Sequence, residues 1–96
     1  MPHLTGTFAT PHATKYMTQL CKHWSHKGPA KWDDDTGSVT LPFGDVAFAA
    51  SGDVLTVDVD IKDGTDAATV KQVVDSHLQR FAFREGFEAM AWSDTK

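Results

Sequence analysis

The stretch DVAFAASGDVLTVDVDI, residues 45–61, decides the fold. Val46, Phe48 and Ala50 alternate with outward-facing neighbours, and Leu55, Val57, Val59 and Ile61 do the same beyond the turn Ser51-Gly52-Asp53. A period of two sends successive side chains to opposite faces of a strand, and a glycine-bearing turn between two such runs marks a hairpin. The two apolar rows therefore form one buried surface, and Thr56, Asp58 and Asp60 point the other way.

Upstream, Ala30–Asp33 and Ser38–Phe43 read as two further strands joined through Asp35-Thr36-Gly37, with a strand over Leu4–Ala9 at the start. Thr10-Pro11 opens a helix, because Thr caps well and Pro at the first helical position gives up only an N–H that has no partner there. Tyr16, Met17, Leu20 and Trp24 recur at steps of three and four with Cys21 beside them, and Gly28-Pro29 predicts an end near Lys27. Downstream, Thr65 is the expected cap of a second helix whose apolar stripe is Ala68, Val70, Val73, Val74, His77, Leu78 and Phe81, ending around Gly86. Phe87–Trp92 is the predicted last strand and 93–96 a frayed tail. The order β-α-β-β-β-β-α-β lacks the alternation of a parallel sheet. It predicts an α+β fold with two helices on one face of an antiparallel sheet, similar in element order to the TATA-binding-protein-like fold. A ferredoxin-like sheet is the alternative if the Lys31-Trp32 strand does not form.

Ninety-six residues, 41% of them hydrophobic, suit one domain over 1–96 with its own core. A formal charge of -4 speaks against nucleic acid as a partner, since binding a phosphate backbone needs a strong positive field. The lone Cys21 allows no intrachain disulfide, which fits a reducing cytoplasm. No apolar run approaches the ~20 residues of a membrane span, so no membrane role is expected.

Two strings carry possible chemistry. In Cys21-Lys22-His23-Trp24-Ser25-His26-Lys27, Cys21 and His23 diverge on a helix, whereas His23 and His26 share a face and could supply two metal ligands. A zinc site wants three or four, so the plainer account is a solvated helix end whose cations complement the macrodipole. Cys21 itself reads as a small packed hydrophobe. In the second string, His77, Arg80 and Arg84 form a basic line beside Val74, Leu78 and Phe81. Arg80 and Arg84 are like charges four apart, which is unfavourable unless an acid or an anionic ligand offsets it. The structural alternative pairs them with Glu85, Glu88 or Asp75. Asp33-Asp34-Asp35 lacks the spacing of a calcium loop and reads as a polar turn. No phosphate loop, cofactor motif or nucleophile–base pair is present, so neither a cofactor nor an enzymatic activity is expected.

The stretches Gln19–Lys27 and His77–Glu85, with Thr10-Pro11, Asp33-Asp34, Gly37 and Trp92, resemble a small bacterial family of unknown function, DUF2218, over nearly the whole chain. Gly28 departs from that pattern, in which a bulkier residue follows the lysine. The resemblance implies an accessory role in iron and siderophore metabolism and no established activity. Read with it, Lys22, His23, His26, His77, Arg80 and Arg84 form a candidate groove for an anionic small molecule or an acidic protein partner. A metal site through His23 and His26 is one alternative. A protein-interaction module through Trp24, Trp32 and Trp92 is another.

Overall fold

The computed structural model describes residues 3–62, 64–87 and 90–95, with the side chains of Arg84, Asp94 and Thr95 outside that description. The chain runs β1 (His3–Ala9), α1 (Ala13–Trp24), β2 (Ala30–Trp32), β3 (Thr36–Leu41), β4 (Gly44–Ser51), β5 (Val54–Ile61), α2 (Ala67–Ala82), a 3-10 turn (Phe83–Glu85) and β6 (Ala91–Thr95). The strands form one open antiparallel sheet in the order β2-β3-β4-β5-β1-β6. β2 does form, pairing Ala30 with Val39 and Trp32 with Gly37, so the condition for the ferredoxin-like alternative is not met.

The β4–β5 hairpin has the expected facing. Phe48 lies opposite Val57 and Val46 opposite Val59, all buried. α1 lays Tyr16, Met17, Leu20, Cys21 and Trp24 on that surface and α2 adds Val70, Val74, Leu78 and Ala82. Both helices pack into the same hydrophobic cluster as the inner face of the sheet. On the opposite face Asp58 and Asp60 meet His3, whose ring nitrogens lie 3.2 and 2.6 Å from their carboxylates. The Asp60 hydrogen bond, helped by Asp58 and opposed by burial, raises the His3 pKa.

Several expected boundaries move. α1 stops at Trp24, three residues short of Lys27. Ser25 Oγ donates back to Lys22 O, and the Lys27 and Gly28 amides both return to Trp24 O. Gly28 then passes so close to β3 that a Cβ on it would lie 1.9 Å from Thr40 O. The cap of α2 is Asp66 rather than Thr65, its carboxylate accepting from Ala68 N. The last strand is Ala91–Thr95, not Phe87–Trp92, so most of the expected tail is paired backbone. Asp75 on α2 sets that register by accepting from Met90 N at 3.0 Å and from Trp92 Nε1 at 3.0 and 3.1 Å. The Trp92 ring then covers Gly6, its cross-strand partner on β1.

The Thr10-Pro11 pair does not open α1: the helix begins two residues after Pro11, with His12 as its N-cap and no side-chain capping bond. Thr10 Oγ1 instead accepts from His12 N at 3.1 Å in the preceding turn, while its hydroxyl donates to Glu85 Oε1 at 2.7 Å. Tyr16 Oη donates to the other oxygen of Glu85. Burial first and this bond second push the Tyr16 pKa up to about 12, while the hydrogen bonds from Tyr16 and Thr10 hold Glu85 below the usual carboxylate range. A carboxylate whose pKa is depressed on folding stabilises the native state above its unfolded pKa, and that contribution fades as pH falls through the folded value. Glu85 is exposed, so screening keeps the effect below about 1 kcal/mol. Glu85→Gln should therefore lower the denaturation midpoint slightly at neutral pH and leave it unchanged near pH 3, as read from paired urea melts. An equal loss at both pH values would mean that the carboxylate charge contributes nothing.

Candidate functional site

The last turn of α1 packs beside the C-terminal half of α2, and the basic side chains of the two helices meet there. The His23 and His77 rings lie 5.0 Å apart, tilted at 54°. Trp24 is 5.4 Å from His77 on one side, and Phe81 is 6.3 Å from His23 on the other. Trp24 is buried against Phe48, so the pair rests on the core rather than projecting into solvent. Because a carbonyl can only accept, the 2.7 Å contact to Val73 O places a proton on His77 Nδ1.

Burial lowers the His23 pKa, and the neighbouring charges of His77, Arg80, His26 and Lys27 lower it further, in that order. Those groups are the members of the cluster. His26 lies just beyond the helix end, not on a continuing face with His23. Lys22 is exposed and is not among the charges that act on His23. The side chain of Arg84 lies outside the described residues. Lys27, missing from the expected set, belongs to it because the chain turns back at Ser25. Phe81 was legible only as a core position and in fact closes one side of the histidine pair.

The acids expected to neutralise the basic line are engaged elsewhere. Asp75 serves Trp92 and Met90, and Glu85 serves Tyr16 and Thr10, while Glu88 lies outside the described residues. Among the described residues the ion pairs are those of His3, and none involves Arg80 or Lys27. No group of three or more His, Cys, Asp or Glu side chains among them is placed to hold a metal ion. Cys21 packs against Gly37, and burial raises its thiol pKa to about 11, so it is no nucleophile at neutral pH. Asp33 closes a turn, accepting from Asp35 N and Thr36 N at 2.8 Å, as a polar-turn reading requires. The tryptophans do not share a surface: Trp24 is buried, Trp92 is half-buried against Asp75, and only Trp32 is substantially exposed. No described helix is long and apolar enough to cross a membrane.

Residues 5–93 match a family described as uncharacterised proteins conserved in bacteria, DUF2218. The chain is also similar to a solved structure, the NMR structure of PA4090 from Pseudomonas aeruginosa, with a TM-score of 0.75 and 30% sequence identity over 97% of this chain and 96% of that one. No curated protein matches it.

Proposed function

The chain belongs to the uncharacterised bacterial family DUF2218, and from that starting point we propose that it is a non-enzymatic binding protein that takes an anionic ligand at the seam between α1 and α2. The observation that carries this reading is the His23–His77 pair, flanked by Arg80, His26 and Lys27 with no carboxylate paired to Arg80 or Lys27 among the described residues. Helix C-termini contribute a negative end worth only about half a charge each. Arg80 and Lys27 alone bring two full positive charges, so the seam stays positive before either histidine is protonated. That sign favours an anion and disfavours a metal cation at His23 and His26. Within the anions we place a carboxylate- or catecholate-bearing siderophore, in keeping with the family resemblance and a cytoplasmic role in iron metabolism; an acidic partner protein would use the same charges.

Bound anion would offset the repulsion that adds to burial in depressing the His23 pKa, so binding takes up a proton and tightens as pH falls through the range in which the ring protonates. Citrate titrated into labelled protein should shift the ring protons of His23 and His77 saturably. Arg80→Ala should weaken that binding about tenfold, equivalent to about 1.4 kcal/mol. The same change should alter stability by less than about 1 kcal/mol, since Arg80 is exposed. Absence of saturable shifts, or strong destabilisation by Arg80→Ala with citrate binding intact, would return these residues to a purely structural role.

A further inference from the structure

The side of α2 turned away from α1 carries a second feature beside Arg80. Ser76, Gln79, Arg80 and Phe83 follow one another around the outer surface of the helix, and with Gly86 and Phe87 they line an open cavity of about 670 Å³. That volume is within the range of small-molecule sites. Phe83 is 64% exposed, the most exposed large hydrophobic residue among those described. A single exposed apolar side chain needs no explanation. This one lines the same concavity as the buried Phe87 and as the arginine whose charge bears on His23. Successive helical residues turn by about 100°, which sets Arg80 between His77 on the α1 side and Phe83 on the outer side. Arg80 is thus common to a cationic seam and an open hollow of mixed polarity that carries two phenylalanines.

We infer that this cavity is a second subsite, which receives the flat aromatic body of an anion whose charge is held by Arg80 and the histidine pair. The inference rests on the proposed anion-binding seam and adds to it a ligand class, the aryl carboxylates. An arginine edge supplies paired donors to a carboxylate, while a phenylalanine face offers a stacking surface to a planar ring. Ser76 and Gln79 leave the rim polar, which suits a ligand that is apolar only in part. A purely aliphatic anion would engage Arg80 and leave Phe83 in water.

Two dianions of equal charge separate the two claims. Succinate and naphthalene-2,3-dicarboxylate are titrated into the full chain, with ring signals of His23 and His77 reporting the seam and those of Phe83 and Phe87 reporting the cavity. The aromatic dianion should bind at least tenfold more tightly and shift all four rings, whereas succinate should shift the histidines alone. Phe83→Ala, with its fold checked by circular dichroism, should remove the aromatic advantage and leave the succinate affinity unchanged. Equal affinities in the wild type, or an advantage that survives Phe83→Ala, would overturn the subsite while succinate shifts at His23 and His77 keep the seam. Failure of both dianions to move either histidine would overturn the seam and the subsite with it.

Discussion

Gly28→Ala is expected to cost about 3 kcal/mol or more and to lower Tm by more than about 12 °C. The backbone angle is not the cause, because Gly28 is not among the residues with positive φ. The added methyl would lie 1.9 Å from Thr40 O, and that oxygen belongs to a strand backbone that cannot swing aside as a side chain could. Relief requires separating the α1–β2 connection from β3, where Pro29 O accepts from Thr40 N at 2.9 Å. Gly52→Ala provides the contrast. It has nothing within 4 Å and a φ of +57°, so it bears only left-handed strain of about 1–2 kcal/mol. Thermal melts of the two variants side by side test the difference, and a Gly28→Ala chain that melts within a few degrees of wild type would show that the approach is not tight in solution.

Trp24→Ala should cost about 3–5 kcal/mol, the usual loss for truncating a buried aromatic residue. Its ring stacks on Phe48 at 6.0 Å and backs His77 at 5.4 Å, so the substitution opens a void between the sheet and the two helices. Citrate binding should weaken even where the variant remains folded, because His77 loses the wall that holds it near His23. Trp32→Ala, at an exposed edge position, should change stability by less than about 1 kcal/mol. Guanidinium melts followed by circular dichroism would measure both. Equal midpoints for the two variants would contradict the placement of Trp24 in the core.

What could be read from the sequence was what depends on periodicity. The 45–61 hairpin has its faces set by alternation, and the apolar stripes of both helices follow from steps of three and four. Boundaries fixed by distant contacts could not be read in this way. Nothing near Ser25 announces Thr40, yet the approach of Gly28 to that carbonyl goes with the early end of α1. Nothing near Phe87 announces Asp75 or Gly6, yet these two place Trp92 and with it the final strand. The candidate site divides in the same way. His77 and Arg80 could be taken as neighbours from their helical spacing, but the contact of His23 with His77 depends on how two helices cross, and Lys27 enters only because the chain turns back.

The order in which the strands are made differs from the order in which they lie. β2 to β5 form a meander in which each strand pairs with the one just synthesised. β1 is made before any of them but sits between β5 and β6, with His3 opposite both Asp60 and Thr95. During synthesis it therefore waits with both edges unpaired, first for the meander to be completed and then, on its other side, for a partner on the far side of α2. Closing that circuit brings together residues almost a full chain length apart, the kind of long-range step that slows folding more than any hairpin does. Until it is taken, the apolar side chains of Leu4 and Phe8 and two free strand edges stand open to other chains, so the interval before closure is when the molecule is most exposed to aggregation.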